Sequence, residues 1–143
     1  MKIAVASDHG GFALKEGIKE FLASRGVEIA DLGTHTEQPV DYPIYGKACA
    51  EAVATGEADG GIAVCGTGIG VSIAANKVRG IRCALCTDAH MAALAKRHNN
   101  ANMLALGGRT TGIEKAAEII GTWLDTEFEG GRHQRRVDML DEM

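Results

Sequence analysis

Residues Gly61 to Asn76 read G-I-A-V-C-G-T-G-I-G-V-S-I-A-A-N, and this stretch decides the fold. Gly61-Ile62-Ala63-Val64 is a short apolar run with the character of a buried strand, while Val71 to Asn76 begins a helix. Between them Cys65 is followed by glycine at every second position, Gly66, Gly68 and Gly70. Glycine tolerates positive φ and close approach of another molecule, so such a loop turns several backbone N–H groups into one concavity. The helix behind it adds unpaired N–H groups and the positive end of its dipole. A thiol at the lip of an anion-binding hole suits chemistry that passes through an oxyanion.

Two familiar glycine motifs do not fit. A dinucleotide fingerprint requires G-x-G-x-x-G, and Val71 stands where its third glycine belongs. Asp88 lies about 20 residues on, as a ribose ligand would, but the loop follows the third predicted strand and not the first. A P-loop requires Lys-Ser/Thr after its last glycine, and here Gly70 precedes Val71-Ser72.

Working outward, strand and helix signals alternate. Ile3 to Ala6 is a strand, and Leu14, Ile18, Phe21 and Leu22 mark a helix over Phe12 to Ser24, closed by Arg25-Gly26. Val27 to Leu32 is the second strand, then a loop from Gly33 to Pro43 and a helix from about Ile44 to Thr55. Gly60 to Val64 is the third strand, followed by the helix that ends at Lys77. Ile81 to Cys86 is the fourth, and Thr87-Asp88 caps a helix reaching about His98. Asn102 to Leu106 is the fifth, with a helix from Thr110-Thr111 to Leu124. Strands separated by helices require a parallel sheet with right-handed crossovers, hence a three-layer α/β sandwich with a five-stranded, Rossmann-like sheet. The whole chain, 1–143, reads as one domain. Its tail, Glu127 to Met143, holds a short helix too polar for a core, and it is expected to pack on a partner subunit.

The chain has 143 residues, 45% of them hydrophobic, enough for a proper core in one domain. A net charge of −4 gives no general attraction to nucleic acid or an anionic membrane. No apolar stretch approaches the ~20 residues of a membrane span. The opening M-K-I-A-V-A-S-D reads as a strand, not as a signal peptide, which makes a cytoplasmic protein the default. Among the four cysteines, Cys83 and Cys86 form C-x-x-C inside a predicted strand. Positions three apart on a strand face opposite sides, so both are expected in the core and not at a metal or redox site.

In an open parallel sheet, ligands bind beyond the carboxyl ends of the strands. That rule gathers Ser7-Asp8-His9-Gly10-Gly11, Cys65 with its loop, and Gly107-Gly108-Arg109 at one edge. Singly, Asp8 is an ordinary helix cap, His9 a loop histidine and Arg109 a solvated charge. Together beside a glycine-lined hole they form a candidate site. His98 continues the stripe Met91, Leu94, Ala95 on a helix that starts at the carboxyl edge and ends at the opposite one. Should His98 and Asn99 be catalytic, they serve another subunit's site. Arg132 and Arg136, four apart, share a helix face and form a pair suited to a phosphate, or else a solvated face beside Glu127, Glu129 and Asp138.

The motifs S-D-H-G-G at 7–11, D-Y-P at 41–43, V-C-G-T-G-I-G-V-S-I-A-A-N-K at 64–77, R-H-N-N-A-N at 97–102 and E-G-G-R-H-Q-R-R at 129–136 together resemble ribose-5-phosphate isomerases of type B. The wider family includes galactose-6-phosphate isomerase subunits, and the resemblance spans essentially the whole chain. It implies interconversion of ribose 5-phosphate and ribulose 5-phosphate with no metal and no cofactor. Such an exchange takes a proton from carbon 2, passes through an enediolate and returns a proton to carbon 1. Cys65 matches the base, since a thiolate at a helix N-terminus can have a pKa in the working range. The N–H groups of Gly66, Thr67, Gly68, Ile69 and Gly70 are the expected donors to the enediolate, with the Thr67 hydroxyl assisting. His98 resembles the family's ring-opening residue, and Asp8 is a plausible assistant. His9, Arg109, Arg132 and Arg136 match phosphate-binding positions, and Asn99 a hydroxyl-binding one. A homodimer, or a dimer of dimers, with sites shared between subunits is expected. The alternatives are isomerisation of a six-carbon sugar phosphate or a rare sugar, a catalytically silent sugar-phosphate-binding module, and a flavodoxin-like nucleotide binder.

Overall fold

The computed structural model describes residues 1–143 and is a five-stranded, all-parallel sheet between helical layers. The strands are β1 (Lys2–Ser7), β2 (Glu28–Asp31), β3 (Gly60–Cys65), β4 (Cys83–Leu85) and β5 (Met103–Gly107). The helices are α1 (Phe12–Ser24), α2 (Tyr42–Ala54), α3 (Ile69–Asn76), α4 (Ala89–Asn99), α5 (Ile113–Asp125) and α6 (Arg132–Asp141). The expected three-layer α/β class therefore holds. The strand order is β2-β1-β3-β5-β4, so the chain winds outward from β1 to β2 and then returns to place β3 on the other side of β1. That reversal opens the crevice between β1 and β3, the point where open α/β sheets bind ligands.

Every residue of β3 is buried, as its apolar run predicts for a central strand covered on both faces. On one face, Ile3, Val5, Ile62 and Leu104 meet α1, α4 and α5 through Leu14, Ile18, Ala92, Ile119 and Trp123. On the other, Ala4, Ala63 and Ala105 meet α2 and α3 through Cys49, Ala50, Val71 and Ala75. Small residues there let the helices lie close. The C-x-x-C pair divides as strand alternation requires, with Cys86 in the first core and Cys83 against the second. Burial raises the thiol pKa of Cys49 to about 12 and of Cys86 to about 11, and raises Cys83 as well. These three are core thiols that remain protonated at neutral pH.

The structure corrects several boundaries. α2 begins at Tyr42 and takes Pro43 into its first turn, where a missing N–H costs nothing. β4 is shorter than its apolar run because it is an edge strand paired only with β5. α3 begins earlier, at Ile69, directly after Gly68. The tail is also better packed than its polarity suggests: α6 docks on α4 of its own chain and buries His133 and Val137. Arg82 ties it down through Asp141 at 2.6 Å.

One charged pair lies within the fold. The Lys15 side chain is fully buried, and its Nζ donates to both Asp31 oxygens at 2.7 Å. Lys19 donates to the same carboxylate at 2.8 Å, and so does the Gly33 amide at 3.0 Å. Burial alone pushes the Asp31 pKa up, but these donors outweigh it and hold the carboxyl at about 2. The folded pKa lies below the ordinary 3.8, so this stabilisation is complete above pH 3.8 and fades as pH falls toward 2. Replacing Asp31 by Ala strands a buried ammonium and should cost roughly 3–5 kcal/mol in urea denaturation, whereas Lys15→Met should cost clearly less. Equal losses from the two variants would show that the pair acts only through packing.

Candidate active site

Three loops meet beyond the carboxyl ends of β1, β3 and β5. The turn after β1 is closed by Asp8, whose Oδ1 accepts the Gly11 amide at 3.1 Å. It lies so close to the β3 loop that a Cβ on Gly10 would come within 3.2 Å of the Gly66 nitrogen. The turn after β5 is stitched to the same loop, Gly108 N to Cys65 O at 2.8 Å and Arg109 N to Gly66 O at 2.9 Å. The Arg109 guanidinium lies against Gly66, where a Cβ would stand 3.0 Å from Nη1. His9 is half-buried and its Nδ1 accepts the Val40 amide at 3.1 Å, tying the 33–41 loop to the turn after β1. Asp8, His9, Cys65, Thr67 and Arg109 thus share one edge, as strand polarity predicts.

The β3 loop turns into α3 through Gly68, whose φ of +80° is the left-handed conformation that only glycine adopts without strain. This turn folds the chain back so that the Gly68 amide donates to Cys65 Sγ at 3.2 Å. An acceptor role is the polarity a thiolate needs. Cys49 shows the opposite arrangement, its Sγ donating to the carbonyls of Ala4 and Ile62. The Ile69 amide donates to Thr67 Oγ1 at 3.2 Å. Two of the five amides expected to face a ligand, those of Gly68 and Ile69, therefore have acceptors inside the loop. The amides of Gly66, Thr67, Gly70 and also Val71 donate to nothing in the chain. Val71 extends the donor set by one residue, because α3 starts earlier than its apolar pattern suggests.

Sequence reasoning assigned no role to two neighbours of this edge. The Tyr42 ring lies over Gly70, where a Cβ would overlap it, and is itself 41% exposed. Its signal was its place one residue before Pro43 at a helix start. Ser7 Oγ is fully buried at the end of β1 without a hydrogen-bond partner.

The remaining candidates lie elsewhere in the same chain. α4 leaves the carboxyl edge at Ala89, and its eleven residues carry His98 and Asn99 about 15 Å along the helix axis toward the opposite edge. There Arg82, just ahead of β4, donates to the Asn99 and Asn100 carbonyls at 3.1 and 3.2 Å. α6 brings His133 against His98, the rings stacked with centroids 4.3 Å apart. Glu129 approaches both, 3.6 Å from His133 and 4.0 Å from His98. Burial, followed by His98 and Arg132, holds the His133 imidazole below its ordinary pKa against the pull of Glu129. Arg132 and Arg136 are exposed on α6. Only Arg25 and Arg82 among the arginines are engaged in ion pairs, which leaves Arg109, Arg132 and Arg136 available to an anion. Within one subunit the structure therefore separates His98, Asn99, Arg132 and Arg136 from Cys65.

No helix is long and apolar enough to cross a membrane. The family model described as Ribose/Galactose Isomerase matches residues 3–140. Ribose-5-phosphate isomerase B of Escherichia coli is 50% identical over 97% of this chain and 93% of its own length. A galactose-6-phosphate isomerase subunit LacB of Clostridium acetobutylicum is 44% identical over 100% of this chain and 83% of its own. Among solved structures, ribose-5-phosphate isomerase B of Clostridium thermocellum superposes with a TM-score of 0.98 at 55% identity, covering 99% of this chain and 96% of the other. With a match across nearly all its length, the chain belongs to the ribose/galactose isomerase family.

Proposed function

We propose that this chain interconverts D-ribose 5-phosphate and D-ribulose 5-phosphate by proton transfer through an enediolate, Cys65 being the base. The observation that carries this reading is the Gly68 amide donating to Cys65 Sγ beside amides that have no acceptor of their own. The Gly68 amide holds the Cys65 sulfur at the lip of the loop, where it takes the proton from carbon 2 and returns it to carbon 1. Gly66, Thr67 and Gly70 offer their amides to the enediolate oxygens, each such donor being worth ~10²–10³ in rate. Ring opening of the aldose falls to His98, with Asp8 assisting. Asn99 holds a sugar hydroxyl, and His9, Arg109, Arg132 and Arg136 hold the phosphate. Binding that remote group keeps the reacting carbon against the thiolate. The chemistry uses no cofactor, and a cytoplasmic setting suits four unpaired thiols.

A six-carbon sugar phosphate is the second reading, favoured by the 44% identity to a galactose-6-phosphate isomerase subunit. A coupled isomerase assay across five- and six-carbon phosphosugars, run with a chelator, separates the two. Preference for ribose 5-phosphate supports the first, and turnover of galactose 6-phosphate alone would replace it.

Because His98 and Cys65 occupy opposite edges of one subunit, the proposed working unit is a homodimer in which each site takes Cys65 from one chain and His98 from the other. Further pairing into a dimer of dimers is compatible with this. Residues 127–143 then serve two surfaces, α4 of their own chain and the partner's site.

Three outcomes test these assignments. Cys65→Ala should lower turnover by at least ~10²–10⁴ while phosphosugar binding persists, and Cys65 should be the thiol alkylated fastest, with substrate protecting it. Near-normal turnover of that variant would require another base. Arg136→Ala should raise KM roughly 10–100-fold and leave kcat far less changed, as removal of a charge-assisted hydrogen bond to a bound group does. An unchanged KM would remove α6 from the site. Finally, inactive Cys65→Ala and His98→Asn subunits, dissociated and reassembled together, should recover about a quarter of normal activity with ribose 5-phosphate. Half the dimers are then mixed, and each has one intact site by two-fold symmetry. Verified mixed dimers without activity would place both residues in one chain's site.

A further inference from the structure

His98, Glu129 and His133 bring two imidazoles and a carboxylate together at the α4–α6 junction, with one ligand-type atom from each all within 4.8 Å of one another. The two histidine Nε2 atoms both approach the Glu129 carboxylate, at 4.0 Å from His98 and 3.6 Å from His133. His133 Nε2 is buried and has no hydrogen-bond partner, while the side chain as a whole is only 9% exposed. A buried imidazole nitrogen without a partner is costly, and a Glu129 carboxylate oxygen stands 3.6 Å from it. We propose that this cluster is a binding site for a divalent transition-metal ion of the zinc type, and that the ion acts as a reversible inhibitor.

The donor set decides the class of ion. Two imidazoles and one carboxylate suit Zn²⁺, Co²⁺, Ni²⁺ or Cu²⁺, whereas Mg²⁺ and Ca²⁺ select oxygen ligands. Ligands about 2.0–2.1 Å from a tetrahedral ion stand roughly 3.3–3.5 Å apart, so the cluster must contract by about 1 Å. The parts able to move are the exposed ones. The Glu129 side chain is 49% exposed on the segment between α5 and α6, and that of His98 is 38% exposed in the last turn of α4. His133 is fixed in the junction, and rotation of the His98 ring opens the stack toward the ion. Three protein ligands leave the fourth position to water. Arg132 and Arg136 on the same helix oppose a cation, which limits the affinity without changing the donor geometry.

The inhibitory half of the proposal rests on the assignment of His98 to ring opening. A metal bound to His98 Nε2 occupies the lone pair that would carry the proton, so the aldose reaction stops and the open-chain ketose suffers less.

The test separates binding from inhibition. Metal-free enzyme is titrated with Co²⁺, read by its visible d–d absorption, and with Zn²⁺ in competition with a chromophoric chelator. The wild type and Cys65→Ala should each take up one ion per chain, and Glu129→Gln and His133→Asn should bind at least about 10-fold more weakly. Glu129 is half-exposed, so its variant remains informative should His133→Asn fail to fold. Zinc should inhibit ribose 5-phosphate turnover, a chelator should restore it, and Glu129→Gln should shift the inhibition to at least about 10-fold higher zinc. Absence of uptake at micromolar metal, or uptake lost in Cys65→Ala and kept in Glu129→Gln, would overturn the site. Uptake that depends on Glu129 but leaves turnover untouched would keep the site and overturn the inhibition, the ring-opening role of His98 being tested separately by the turnover of metal-free His98→Asn with ribose 5-phosphate.

Discussion

The geometry at the carboxyl edge depends on backbone meeting backbone. The loops after β1, β3 and β5 touch through glycines, with no side chain between Gly10 and Gly66, and the β5 loop is stitched to the β3 loop by main-chain hydrogen bonds. Contacts of this kind fix amide positions more tightly than side-chain packing does, because rotamers are not involved. They also leave the Gly66, Thr67, Gly70 and Val71 amides without internal acceptors. Holding such donors in place before a ligand arrives costs stability, and the fully buried β3 behind them helps to offset it.

Sheet polarity imposes the second constraint. In a parallel sheet every crossover helix begins at the carboxyl edge and finishes at the other, so any residue at the end of α4 is remote from the loops that precede it. Polar residues consequently collect in two places. One holds Ser7, Asp8, His9, Cys65 and Arg109, the other His98, Glu129, His133 and the free arginines of α6. Two buried side-chain polar atoms lack partners, Ser7 Oγ and His133 Nε2, and each collection contains one of them.

Much of this was legible in the sequence. The Gly61–Asn76 stretch carries its strand, turn and helix locally, and alternation along the chain dictated the parallel sheet. Carboxyl-edge clustering then followed from strand direction alone, and the opposite facing of Cys83 and Cys86 from the two-residue alternation of side chains along a strand. Strand order was not legible, since β5 lies between β3 and β4 through long-range packing with no local signature. The docking of α6 was hidden for a different reason. Its buried face rests on His133 and Val137, and a histidine counted as polar masks a stripe. Within the loop, sequence identified the glycines, but the allotment of the Gly68 amide to sulfur and of Ile69 to Thr67 depends on backbone angles.

Lys15 and Asp31 illustrate how such a fold can change over generations. They belong to different elements and are 16 positions apart, yet an ammonium without solvent leaves its carboxylate partner little freedom to vary alone. An apolar pair of similar volume is an acceptable endpoint, but the single steps toward it are not equivalent. Loss of the lysine first leaves Asp31 with Lys19 and partial access to water, whereas loss of the aspartate first leaves Lys15 stranded. Drift at this pair therefore has a preferred direction, with the lysine replaced before the aspartate.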